Sequence, residues 1–354
     1  MKHLFESIQL GRVNLKNRVV MAPMTRSRAL GNVPNELMAQ YYSDRATAGL
    51  IVTEGVSPSP NGLGYARIPG LYNAEQVAGW KKVNSAVHAK GGRIFIQFMH
   101  TGRVAHALNL PKGAEVVAPT ASQVSGTMWT DSQGPQPHTP AREMNLGDIK
   151  KAHDEYVRAA ELAIEAGFDG VELHAANGYL LEQFLNPNSN KRTDAYGKTA
   201  EGRMKFVLDV AADVAKKIGG DRVGVRVSPY GVFNDTGAFD GVDEFYGELS
   251  RKLSALNLAY IHVVDHSAMG APAVSPEVKR LIRENFKGRY ILSGGYDGDR
   301  AERDLTEKKG DLVAFGRPFI SNPDLVEKLK SGAVLKQPDQ STFYTPGPKG
   351  YTEL

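Results

Sequence analysis

The chain has 354 residues, with 43 Lys+Arg against 39 Asp+Glu and a formal net charge of +4. Hydrophobic residues at 41% and charged residues at 23% describe a globular protein and exclude disorder, collagen and disulfide scaffolds. The absence of cysteine excludes iron–sulfur clusters, thiolate metal sites and a cysteine nucleophile.

In chain order, residues 8–10 and 13–15 flank Gly11-Arg12. They predict a hairpin that could plug a barrel floor. Short apolar runs follow at 19–22, 50–54, 94–98, 170–174, 223–228, 260–264, 290–293 and 312–315. Nearly continuous apolar runs suit strands covered on both faces, as in parallel sheets. Helical segments lie between them. Asn73 predicts a cap with Gln76 three residues on, and Gly91-Gly92 a stop. Residues 148–166 carry Ile149, Ala152, Tyr156, Ala160 and Ala163 on one face, with Gly167 ending the helix. Thr199 caps a helix bearing Phe206, Val210 and Val214 that Gly219-Gly220 closes. Phe245, Leu249 and Leu253 mark another; Val278, Leu281 and Ile282 a shorter one; Leu325 and Leu329 the last.

This alternation predicts an α/β fold, a (β/α)8 TIM barrel forming one domain over 1–354. A doubly wound open sheet is the alternative, but no Gly-x-Gly-x-x-Gly or Walker A turn accompanies it. A minimal barrel takes about 250 residues, so roughly a hundred are surplus. They fall in the hairpin, in an insertion over 101–145 rich in Pro, Gly, Ser and Thr, and in the tail 343–354. The insertion is a natural lid or substrate wall. Cations occur as pairs such as Lys81-Lys82 and Lys216-Lys217, which read as solvated helix faces, not a nucleic-acid surface. No run nears the ~18 apolar residues of a spanning helix and the start is not a signal peptide, so no membrane association and a cytoplasmic location are expected.

Barrel chemistry sits at the C-terminal ends of the strands. Those ends carry Thr25, Glu54-Gly55, Gln97, His100, His174 with Asn177 and Tyr179, Arg226, Gly294-Gly295 and Gly316-Arg317. Glycine turns after strands seven and eight, with an adjacent Arg, form the usual phosphate site of this fold; the bland alternative is tight turns alone. Arg226 in an apolar strand either pairs with a carboxylate such as Glu172 or lies beneath a ligand that gains negative charge. Gln97 reads as a core amide or as a ligand contact. His174 and Asn177 can both donate to one oxygen, as an oxyanion hole does, with Tyr179 a proton donor. The bland reading of His174 is structural. Metal binding is not indicated, because Asn is a poor zinc ligand and no His-Glu-x-x-His occurs.

The run from Glu172 through His174, Asn177 and Tyr179 to Asn186-Pro187 and Asn190-Lys191-Arg192-Thr193-Asp194 resembles the signature of the Old Yellow Enzyme family. The blocks Ala22-Pro23-Met24-Thr25-Arg26, Gln97 to Arg103 and Phe315 to Phe319 are similar to further family blocks, and the likeness spans essentially the whole chain. It implies an FMN-dependent ene-reductase. NADPH or NADH would deliver a hydride to flavin N5 in a ping-pong cycle. The substrates implied are electrophilic alkenes (enones, maleimides, nitroalkenes), with nitrate esters as a further class.

The implied flavin contacts are Ala22, Pro23, Met24, Thr25, Gly55, Gln97 and Arg226, with the phosphate at Gly294, Gly295, Gly316 and Arg317. His174 and Asn177 would grip the substrate oxygen and Tyr179 would protonate. Tyr65, Met99 and Tyr344 would line the substrate pocket. Met99 stands where members often carry Trp, which implies a wider pocket. Thr25 instead of Cys places the chain with one branch of the family. A flavin-free barrel isomerase or aldolase with Glu54 or Glu172 as base, and a non-catalytic flavin carrier, are the competing readings. A monomer or small homo-oligomer is expected.

Overall fold

The computed structural model describes residues 1–354. Fourteen strands occur in chain order. β1 (Ile8–Leu10) and β2 (Val13–Leu15) form the expected antiparallel hairpin. β3 (Val19–Met21), β4 (Leu50–Val56) and β5 (Ile94–Phe98) follow. The insertion holds β6 (Val117–Ala118), β7 (Thr127–Thr130), β8 (Gly134–Pro137) and β9 (Arg142–Glu143). Then come β10 (Gly170–Ala175), β11 (Val223–Val227), β12 (Tyr260–Val264), β13 (Arg289–Ser293) and β14 (Leu312–Phe315).

The eight strands read from apolar runs close into a parallel barrel in the order β3-β4-β5-β10-β11-β12-β13-β14 and back to β3. Each pairing is parallel, so the open doubly wound sheet is not adopted. Inside the barrel, Val20, Leu50, Val52, Phe95, Tyr260, Ile291 and Leu312 pack with Ile8, Leu10 and Leu15 of the hairpin. The hairpin is therefore the floor plug. Burying each such side chain stabilises by about 1.5–3 kcal/mol.

The helices are α1 (Glu36–Asp44), α2 (Ala74–Ala89), α3 (Leu146–Glu165), α4 (Leu180–Leu185), α5 (Ala200–Ile218), α6 (Val242–Ser254), α7 (Pro276–Asn285), α8 (Gly298–Thr306), α9 (Arg317–Ser321) and α10 (Leu325–Ser331). Their apolar faces meet the outward faces of the strands in the main core. Asn73 accepts from Gln76 N at 2.9 Å, and Thr199 from Gly202 N at 3.0 Å, as expected of caps. The Gln76 side chain instead reaches Tyr72 N. Asn145 and Asp148 form a reciprocal box at the start of α3, two residues before the expected start. No helix is long and apolar enough to cross a membrane.

Candidate active site

The strand register sets a polar band inside the barrel. Gln97 is level with Glu172, and His174 with Arg226 and His262. Glu172 is fully buried and accepts from Gln97 Nε2 at 2.7 Å and Tyr260 Oη at 3.0 Å, and pairs with His262 Nδ1 at 2.9 Å. Tyr260 reaches it across Gly224, where a Cβ would lie 2.1 Å from the ring. Burial pushes the Glu172 carboxyl up, but His262, Arg226 and Gln97 outweigh it and hold the group ionised.

Arg226 has no ion pair with Glu172. It acts on that carboxylate through charge, is 6% exposed, and keeps Nε without a partner. A buried guanidinium with a free N–H is what a ligand oxygen would complete. Neither alternative base is free. Glu172 is engaged on both oxygens by its three partners, and Glu54 is buried against Tyr42 Oη at 3.1 Å and Arg26 N.

At the end of β10 the chain turns through Asn177 (φ 59°) and Gly178 (φ 76°). Asn177 N donates to Ser228 Oγ at 2.9 Å, and Gly178 N to Glu182 Oε2 at 2.5 Å. Ser228 in turn donates to Glu182, and Asn234 Nδ2 donates to Asn177 O at 2.7 Å. Asn177 Oδ1 lies 2.8 Å from His266 Nε2. His174 is 3% exposed with Nδ1 unpartnered; burial, then the charge of Arg226, keeps its imidazole neutral. Its ring meets Tyr179 edge-on at 4.9 Å. Tyr179 Oη is 3.0 Å from Tyr65 Oη, and burial raises the Tyr179 phenol above its ordinary value. The site thus presents a neutral imidazole, a carboxamide and a protonated phenol.

A cradle lies beside this set. Gly294 (φ 130°) and Gly295 (φ 62°) follow β13. A Cβ on Gly294 would lie 2.0 Å from Asp265 O, and one on Gly295 2.4 Å from Ala268. Gly316 adjoins Met24 and Ala22, whose N–H donates to Phe315 O at 3.0 Å. Arg317 is exposed and rests on Met269 Sδ at 3.4 Å. The turns after β12, β13 and β14 therefore meet one another, through Asp265, Ala268 and Met269 on one side and Gly294, Gly295 and Arg317 on the other. Gly55 sits on an irregular stretch of β4 against Met99.

Above lies a cavity of about 700 Å³ lined by Thr25, Tyr65 and Tyr179, by Met128 and Trp129 of the insertion, and by Tyr344 of the tail. Arg67 ties three of its walls together, donating to Ser27 O at 3.0 Å, to Asp131, and to Tyr344 O at 2.8 Å. Met99, expected in the pocket lining, is 2% exposed and packs with Leu63, Ile68, Tyr65 and Tyr179 instead of lining the cavity. Sequence reasoning passed over His266, Ser228, Asn234, Arg67 and Met128. Reading the strand ends through β12 as well would have singled out Asp265-His266.

A closed parallel barrel with glycine turns after its last two strands, an unpartnered buried Arg and a His174–Asn177–Tyr179 set at the end of β10 is the arrangement of a flavin-dependent oxidoreductase. A family model described as NADH:flavin oxidoreductase / NADH oxidase matches residues 3–336. The chain is 40% identical to 12-oxophytodienoate reductase 7 of Oryza sativa subsp. japonica, covering 99% of this chain and 93% of the relative. It is also 40% identical to chanoclavine-I aldehyde reductase of Penicillium roqueforti, over 100% and 96%.

Morphinone reductase in complex with tetrahydroNAD superposes with a TM-score of 0.94 at 41% identity, covering 100% of this chain and 97% of the other. The old yellow enzyme homologue from Zymomonas mobilis gives 0.95 at 38%, over 99% and 98%. The chain belongs to the NADH:flavin oxidoreductase / NADH oxidase family, among the Old Yellow Enzyme homologues. Its cofactor is FMN, with a nicotinamide nucleotide as hydride donor. The side-chain-free turns at Gly294 and Gly295, where a Cβ would strike Asp265 O and Ala268, and the unpartnered Arg226 Nε both fit that cofactor.

Gly294→Ala tests the cradle. It places a Cβ against the Asp265 carbonyl at a backbone angle that L-residues rarely adopt, a strain of about 1–3 kcal/mol. FMN retained through gel filtration should fall, with affinity about tenfold weaker or more. Undiminished retention would show that the Gly294 turn does not hold the FMN phosphate.

Proposed function

We propose that this chain reduces activated C=C bonds of enones, maleimides and nitroalkenes, and accepts nitrate esters, with NADPH or NADH in a ping-pong cycle. We read 1–354 as one catalytic unit, because insertion and tail both line the cavity. The observation that carries the proposal is the neutral His174, with its unpartnered nitrogen, 4.9 Å from the ring of Tyr179, which lines the cavity. When bound, FMN would supply the hydride chemistry that links nicotinamide oxidation to reduction of the alkene β-carbon.

The residues Ala22, Pro23, Met24, Thr25, Gly55 and Gln97 would hold the flavin ring, with Arg226 placing its charge where reduction deposits electrons. Gly294, Gly295, Gly316 and Arg317 would hold the phosphate. His174 and Asn177 donate to the substrate oxygen, and these bonds strengthen as that oxygen becomes enolate-like, so they favour the transition state over the ground state. Tyr179 gives its proton to the α-carbon. Tyr65, 3.0 Å away, donates to the phenolate left behind. Trp129 and Tyr344 exclude water from one side of the substrate.

The purified protein should be yellow, release FMN on denaturation, bleach anaerobically with NAD(P)H and recolour on adding N-ethylmaleimide. Initial rates at several nicotinamide concentrations should give parallel double-reciprocal lines. A colourless protein that takes up no added FMN, or intersecting lines, would overturn the reading.

A further inference from the structure

We propose that His266 is a positioning residue that holds the Asn177 carboxamide with its amino group toward the substrate oxygen. The inference rests on the reading of Asn177 as part of the oxygen clamp. A carboxamide is nearly symmetric in shape but opposite in chemistry at its two ends. Turned by 180°, Asn177 would offer an acceptor oxygen to the substrate oxygen, and the clamp would repel what it must bind.

The backbone contacts of Asn177, to Ser228 Oγ and Asn234 Nδ2, hold its left-handed turn but leave the amide free to rotate. The single protein contact to the amide itself is His266 Nε2, 2.8 Å from Oδ1. Two acceptors cannot share a proton that neither carries, so an oxygen at this distance requires the proton on Nε2. Nδ2 is then left with both hydrogens for the ligand.

His266 is itself well fixed. It follows β12, and its ring lies 4.6 Å from Phe233 at 72°. The preceding Asp265 is anchored by Lys279 Nζ at 2.6 Å and Ser267 N at 3.0 Å. Burial and the nearby Arg226 hold the imidazole down to about 4, against a smaller opposing effect of Asp265. The ring is thus neutral at physiological pH, and a protonated ring would still donate from Nε2. The same segment, through Asp265 O, Ala268 and Met269, abuts Gly294, Gly295 and Arg317. Cofactor cradle and substrate clamp therefore share one support.

The test is a double-mutant cycle on the holoenzyme, read as the dissociation constant of 4-hydroxybenzaldehyde, whose phenolate oxygen mimics the enolate. Calorimetry and flavin spectra both report binding. His266→Ala should weaken binding about tenfold, the size of one lost hydrogen bond. Asn177→Ala should weaken it at least as much, and adding His266→Ala to that variant should cost less than twofold more. His266→Gln, which keeps a donor, should recover most of the loss.

Unchanged binding in His266→Ala beside a clear loss in Asn177→Ala, or fully additive losses, would overturn the role of His266 and leave the clamp standing. No loss in Asn177→Ala would overturn the clamp and the inference with it. A direct readout needs no variant: nitrogen NMR of 15N-histidine-labelled protein should show His266 as the neutral Nε2–H tautomer at pH 7. The Nδ1–H tautomer would overturn the proposal.

Discussion

Replacing Tyr179 by Phe is expected to slow alkene reduction by about 10²–10⁴-fold, the usual worth of a positioned general acid. Oxidation of the nicotinamide in the absence of alkene should keep its rate, because no proton passes through the phenol in that half of the cycle. The shape of the cavity is preserved, since only the hydroxyl near Tyr65 Oη is removed. Burial raises the Tyr179 phenol above its ordinary value. Alkene reduction by the parent enzyme should therefore stay flat through neutral pH, with the proton donor fully charged with its proton. Stopped-flow measurement of the two half-reactions separates these outcomes. Equal losses in both would mean that Tyr179 shapes the cavity and does not donate.

The second large effect is expected at Arg28, which nothing in the strand-end reasoning marked. Arg28 is 2% exposed and donates to Arg26 O at 2.6 Å, Phe343 O at 2.7 Å, Thr342 O at 2.8 Å and Lys349 O at 3.0 Å, with weaker contacts to Gly347 O and Thr345 Oγ1. Its guanidinium also faces the Tyr351 ring at 4.9 Å, and Tyr351 stacks on Tyr41 at 3.9 Å. Arg28 thus makes more bonds than any other side chain to the tail 342–351, beside Arg26 on Phe343 O and Gly350 O and Arg67 on Tyr344 O, and helps to place Tyr344 in the cavity wall.

Arg28→Met removes the donor to the two buried carbonyls Arg26 O and Thr342 O, each loss costing about 1–3 kcal/mol. The tail should lose about 3 kcal/mol or more of docking energy. Hydrogen exchange in 342–351 should accelerate by about a hundredfold or more, and the alkene KM should rise. Arg28→Lys should behave similarly, because an ammonium cannot present the planar fork. Protected amides and an unchanged KM would show that the tail docks without Arg28.

Much of the fold was legible because its signal is local. The eight strands are apolar runs buried on both faces, and Asn73, Thr199 and the glycines after the helices act within a few residues of themselves. Where the signal was weak, helices were missed. α8 buries chiefly Ala301 and Leu305 among charged residues, and α1 is rich in Tyr, though Asn35 caps it through Met38 N. Both are held by packing on the barrel more than by their own pattern. The insertion was read as a wall from its composition, but its strands, and the choice of Met128 and Trp129 as lining residues, come from hairpin pairing that composition does not encode.

By itself the sequence determined the barrel, the floor hairpin, the glycine turns after the last two strands and the residues offered at the strand ends. These follow from periodicity, side-chain chemistry and the rule that barrel strands present their C-terminal ends together. The tertiary structure alone decided which of those groups are already satisfied. Glu172 is engaged on both oxygens by Gln97, Tyr260 and His262, while Arg226 keeps a free N–H, and Asn177 is oriented by His266 from 89 residues away. Hydrogen-bond satisfaction is a property of groups brought within about 3 Å by the folded chain, and no spacing along the sequence records it.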